Sequence, residues 1–170
     1  MRRILFVLFA VISFSASAQN TALVLKFGFL SYDAVLQSMP DYAVVEANME
    51  KLRSQYAAEQ KRVEDEFNKK YEEFLDGQRD FPQTILQKRQ NELQELLDKN
   101  IAFKKESQRL LEQAQKEAMV PLKTRLADAL ARVGSSRGLA FILNTDQNAV
   151  PWMNITMGED VTDAVKAALR

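Results

Sequence analysis

Between Ala43 and Leu75, and again between Gln83 and Val120, the chain contains no glycine or proline, and Asp76-Gly77-Gln78-Arg79-Asp80-Phe81-Pro82 separates the two stretches. Glycine and proline are the residues least compatible with a helix interior, so this pattern describes two long helices joined by a turn. At about 1.5 Å per residue the first helix alone reaches roughly 50 Å. The few residues outside the hairpin cannot cover such a length, and its surface is expected to meet other chains.

The N-terminus reads Arg2-Arg3, an apolar run from Ile4 to Phe14, and Ala16-Ser17-Ala18 before Gln19. This is the pattern of a secretory signal peptide over residues 1–18, cleaved after Ala18 to leave Gln19 first. The apolar run falls well short of the ~20 residues that span a bilayer. Export, to the periplasm, is the expectation. The chain has no cysteine, so packing and association must do what disulfides do in many exported proteins.

Loss of Arg2 and Arg3 with the signal leaves 21 basic residues against 23 acidic. A near-zero balance argues against a nucleic-acid binder, which carries a basic excess or stripe. It also gives no global attraction to anionic lipid. With 46% hydrophobic residues the chain is too apolar to be disordered.

Leu23 to Leu30 reads as a half-buried strand, with Phe27 and Phe29 on one face around Gly28. Ser31 caps a short helix with Val35, Leu36 and Met39 on its apolar side, and Pro40 starts the next helix, where proline suits the first turn. Along the outgoing helix Val45, Met49, Leu52, Tyr56, Val63, Phe67, Tyr71 and Phe74 follow spacings of three and four, with one skipped turn at Glu59 and Gln60. The returning helix carries Leu86, Leu93, Leu97, Ile101, Leu111, Ala114, Ala118, Leu122, Leu126, Leu130 and Val133, with a thin patch from Lys104 to Gln108. Opposite charges spaced i,i+4 (Asp65 with Lys69, Glu66 with Lys70, Glu95 with Lys99, Glu112 with Lys116) add about 0.2–0.5 kcal/mol each where they pair.

Pro121 interrupts the helical pattern and is expected to bend it. The helix ends at Gly134-Ser135-Ser136-Arg137-Gly138, Leu139 to Leu143 reads as a second strand, Asn144 to Asn148 as a turn, Val150 to Met153 as a third strand, and Asp160 to Leu169 as a final helix capped by Asp160. The predicted fold class is α+β, mainly α. A long antiparallel helical hairpin, residues 43–133 with its tip near 76–82, forms a coiled-coil arm on a small β-containing head of residues 19–42 and 134–170. Two or three short strands are marginal alone, so the head is expected to oligomerise, with Phe27, Phe29, Phe141, Leu143 and Trp152 in or near the shared core.

With no His and no Cys, the usual nucleophile–base pairs and nearly all zinc sites are excluded, and the glycines form no phosphate-cradling loop. No catalytic, cofactor-binding or metal-binding residue is expected, and the chain does not read as an enzyme. Asn144, Asp146 and Asn148 imitate the start of a calcium loop, but Ala149 stands where the glycine belongs and Ile155 where the bidentate Glu belongs. Asn154-Ile155-Thr156 is a glycosylation triplet. The stronger signal is aromatic: Phe67, Tyr71, Phe74, Phe81 and Phe103 lie along the arm as candidate client contacts, and Phe81 sits in the turn, where no seam requires it.

The ordered set Lys26-Phe27-Gly28-Phe29-Leu30, Val35-Leu36, Pro40-Asp41-Tyr42, Lys70-Tyr71-Glu72-Glu73-Phe74, Pro121-Leu122 and Asp160-Val161-Thr162-Asp163-Ala164-Val165 resembles the Skp (OmpH-like) family of periplasmic chaperones over nearly the whole mature chain. The resemblance implies a homotrimer whose β-containing body carries three helical arms around a cavity that holds unfolded outer-membrane proteins without ATP. Strongly basic members of that family bind lipopolysaccharide, and the near-neutral charge here leaves membrane or lipopolysaccharide contact open. The alternative is a structural coiled-coil spacer or adaptor of the cell envelope with one defined partner.

Overall fold

The structure, a computed structural model, describes residues 25–170. The signal segment, its cleavage after Ala18 and the first residues of the expected strand lie outside the described residues. In order come β1 (Phe27–Leu30), α1 (Tyr32–Gln37), α2 (Pro40–Gly77), α3 (Gln83–Arg137), β2 (Phe141–Asn144), a 3-10 turn (Asp146–Asn148), β3 (Gly158–Asp160) and α4 (Thr162–Ala168).

Local chemistry sets most boundaries. Ser31 is extended, and its hydroxyl accepts the Ala34 N–H at 3.1 Å to cap α1. Pro40 opens α2 at the position where its missing N–H costs nothing. Gly138, at φ 63°, ends α3 in the left-handed region, and the Leu139 N–H returns to the Gly134 carbonyl at 2.9 Å. α3 runs through Pro121 with no break in its helical assignment.

The three strands form one parallel sheet in the order β2-β1-β3, with Phe27 opposite Phe141 and Gly158, and Phe29 opposite Leu143 and Asp160. β1 is therefore central, though the whole hairpin separates it in sequence from its partners. The third strand is Gly158–Asp160 and not Val150–Met153: Pro151 has no N–H to give a ladder, whereas Gly158 leaves room for the Phe27 ring. A side chain at 158 would stand 2.4 Å from Phe27 Cε2.

One face of the sheet is covered. Gly28 and Leu30 point to it, and a Cβ at Gly28 would meet Leu139 Cδ1 at 2.9 Å and Val161 Cγ1 at 3.0 Å. Behind them Val35, Met39, Leu126, Ala129, Val161 and Val165 form one core from α1, α4 and the last turns of α3. Arg125 and Arg132 donate to the Leu169 and Ala168 carbonyls at 3.3 and 2.8 Å, satisfying acceptors that the end of α4 leaves open. Arg125 also pairs with Asp41, and Arg137 with Glu159. Asp160 sits one residue before the N-cap of α4, and its carboxylate accepts the Thr162 N–H at 2.9 Å.

The arm is α2 packed along α3. Its outgoing seam follows the sequence pattern except that Glu59 and Gln60, expected as a skipped turn, are partly buried, and Tyr71 is exposed while Lys70 is partly buried. The returning seam differs in its middle: Leu97 and Ile101 are exposed, and from Leu93 to Ala114 the partly buried or buried positions are Leu93, Leu96, Asn100, Phe103, Ser107, Leu110, Leu111 and Ala114. The physical reason is that Asn100 and Ser107 satisfy their polar groups inside the seam. Asn100 Nδ2 donates to the Val63 carbonyl at 3.1 Å, and the Ser107 hydroxyl to the Phe103 carbonyl. None of the four expected ion pairs is formed. Asp65 and Glu66 are taken instead by Lys61 and Arg62, one turn earlier. These exposed pairs add little to stability.

Candidate functional site

Strand alternation puts Phe27 and Phe29 on the face of β1 opposite Gly28 and Leu30. The register brings Phe141 and Leu143 beside them. The Phe27 and Phe141 rings stack with centroids 5.7 Å apart and planes 12° from parallel. No element of the described chain covers this face as the helices cover the other, and Phe141 remains 47% exposed. Trp152, in the connection to β3, is 81% exposed, and Ile155 and Met157 beside it are also exposed. Four of the five residues expected at a shared core thus lie together on one apolar sheet face, and Trp152 stands outside the sheet.

A polar clasp holds the end of this sheet against α1. Asp146 accepts from the Ser31 hydroxyl at 2.5 Å and the Asp33 N–H at 2.8 Å, while the Asn144 side chain accepts the Tyr32 N–H at 3.1 Å. The Ser31 hydroxyl and the Asp33 N–H hold the Asp146 carboxyl below the usual carboxylate range. Residues that imitate a calcium loop therefore spend their oxygens on backbone and hydroxyl donors. Among the described residues, no group of three or more His, Cys, Asp or Glu could hold a metal.

The arm's aromatic residues divide by environment. Phe103 meets Tyr56 across the seam, with centroids 6.4 Å apart, and Phe74 lies partly buried in it. Phe67 stacks on Tyr71 at 6.0 Å, and Tyr71 stands outside the seam. Phe81 folds back over Gly77, where any Cβ would come within 2.4 Å of its ring. It shares a small recess of about 60 Å³ with Phe74 and Leu93.

By their spacing alone Leu97 and Ile101 are seam residues. They are 39% and 59% exposed, and with Val63 and Phe67 they line a groove of about 420 Å³ midway along the arm. The signal that could have found them is the pairing of two apolar residues at i,i+4 with a polar Asn100 that can satisfy itself between the helices.

Residues 26–169 match the sequence model of the family described as outer membrane protein (OmpH-like). No curated protein matches significantly. Among solved structures, a Caulobacter crescentus protein described as an OmpH-like outer membrane chaperone superposes with a TM-score of 0.65 at 20% identity, over 84% of this chain and 82% of that one. At that identity the likeness speaks for the fold, a long helical hairpin on a small strand-containing head.

Proposed function

Because this chain belongs to the OmpH-like outer membrane protein family, we propose that it is an ATP-independent holdase of the periplasm, exported with cleavage after Ala18, that keeps unfolded outer-membrane proteins from aggregating by holding them between helical arms. The observation that carries this reading is apolar surface on the arm that the arm's own pairing does not consume. Tyr71, Leu75, Leu97 and Ile101 are exposed on helices that pair through other residues. A holdase needs such surface in dispersed form, since many weak contacts give avidity yet let go one at a time.

Self-association into a homotrimer belongs to the same reading. A three-stranded sheet with strands of three or four residues is marginal alone. Its apolar face of half-buried Phe27, Phe29 and Leu143 and exposed Phe141 is the kind of patch that marks an interface. Copies joined there carry several arms on one body, and the space between arms becomes the client site.

The test mixes the purified mature protein with a urea-unfolded outer-membrane β-barrel protein diluted into buffer, with and without ATP, and follows complexes by gel filtration. Co-elution that is indifferent to ATP, and absent when the barrel is already folded in detergent, is the expected result. Failure to bind the unfolded chain, together with tight binding to one folded partner, would overturn the holdase in favour of an envelope spacer.

A further inference from the structure

The arm's packing runs against its own stability at one place. Along α3 the seam keeps a strict three-four spacing, yet every seventh residue in it reads Leu93, Asn100, Ser107, Ala114, so the layer becomes polar and then small. Opposite, the α2 seam passes from Glu59 to Val63 to Phe67 in two consecutive steps of four, and an insertion of that kind locally unwinds a coiled coil. At this point Leu97 and Ile101, the residues able to fill the seam, stand outside it. Polar residues inside and apolar residues outside are a local conflict that folding alone does not explain.

The groove that results has a definite chemistry. Its floor and walls are Val63, Phe67, Leu97 and Ile101, and its rim is dominated by the amides of Gln60, Asn68 and Asn100. Its two charged residues, Glu64 and Lys104, are of opposite sign, and Gln60 already donates to Glu64 at 2.9 Å. A neutral, amide-rimmed trough in an arm otherwise dense with charge suits an uncharged segment. Leu97 and Ile101 lie one turn apart, about 6 Å along the axis. Alternate side chains of an extended chain recur at roughly 6.6–6.8 Å. At about 420 Å³ the trough is the size of a small-ligand pocket, with room for a few side chains of a short, weakly held segment.

We infer that this mid-arm groove docks extended, uncharged segments in which apolar side chains alternate with polar ones, the pattern of a transmembrane β-strand before it folds. The inference rests on the holdase reading and assigns it a contact site.

The test uses the full mature chain and a short, capped peptide alternating leucine or phenylalanine with threonine, followed by fluorescence anisotropy. Leu97→Gln/Ile101→Gln should bind it at least ~10-fold more weakly, a change of about 1.4 kcal/mol, with helicity kept and melting only modestly lowered, since Leu97 and Ile101 are already 39% and 59% exposed. Val44→Gln/Val120→Gln, which removes exposed apolar residues near the arm's base, should bind as the wild type does. Equal affinity in the groove variant, or equal loss in the control, overturns the inference. So does sedimentation in which the groove variant loses an assembly that the wild type forms, since the occupant is then a second copy. If the groove variant loses helicity, a photocrosslinker in place of Ile101 decides: capture of the peptide there and not at Val44 supports the groove, and the reverse overturns it. Should wild type and groove variant suppress barrel aggregation equally and bind the peptide equally, the groove fails and the holdase stands. Should the wild type suppress none, the holdase fails.

Discussion

Asn100→Leu is a direct probe of how the arm is held. In the folded chain the half-buried Asn100 amide donates to the Val63 carbonyl at 3.1 Å. That carbonyl lies inside α2, where the N–H of residue 67 is its helical partner, so removing the amide orphans no acceptor. The loss is one neutral hydrogen bond, about 0.5–1.5 kcal/mol net. The gain is a leucine buried to roughly half, about 0.8–1.5 kcal/mol, with a few tenths more from helix propensity. Apolar burial therefore wins narrowly, and the variant should be more stable by about 0.5 kcal/mol, a rise in Tm of roughly 1–2 °C for a chain of this size. Far-UV circular dichroism through a guanidinium titration reads the change, at one fixed protein concentration because association moves the midpoint. A loss greater than about 1 kcal/mol would refute the reasoning, since the amide would then be doing more than occupying a seam position.

Three further outcomes follow from the body. Leu126→Ala, at a fully buried site, should cost about 2.7–5.0 kcal/mol, and a denaturation midpoint equal to wild type would contradict the core described here. Phe141→Asp should leave the lone chain folded, because the site is half open to solvent, while costing the assembly several kcal/mol by burying an unpaired charge; sedimentation with an unchanged oligomer would remove the sheet face from the interface. Asp146 and Asp160 have folded-state pKa values lowered chiefly by the Ser31 and Thr162 hydroxyls. Their contribution is complete above the unfolded value near 4 and is lost as pH falls through the lower folded values, so acid unfolding curves of Asp146→Asn and wild type should converge at low pH and separate above it.

What the sequence made legible was what a single residue or a long pattern decides. Ser31 could only cap, Pro40 could only start a helix, and two stretches free of glycine and proline could only be the arm. Phe27 and Phe29 alternate around Gly28, so their common face was visible before any partner strand was. The third strand was hidden because Gly158, Glu159 and Asp160 carry no apolar alternation, and their pairing depends on space left for Phe27. The phase of the returning seam was hidden for a related reason. Leu97 and Ile101 look like seam residues until Asn100 is seen to satisfy itself on the Val63 carbonyl of the partner helix, and Ser107 on the Phe103 carbonyl of its own. Phe81 stands in the turn as a candidate client contact, and its packing over Gly77 follows from the bare backbone that only a glycine provides.

We propose that this protein holds unfolded barrel proteins on arms whose apolar surface is left free for them. Light scattering during dilution of a urea-unfolded outer-membrane β-barrel protein measures it most directly, with and without the purified mature chain and with a variant lacking Glu59 to Leu110. The full chain should suppress scattering without ATP, and the arm-deleted body, still folded by circular dichroism, should not. Suppression by that body equal to the full chain would contradict it.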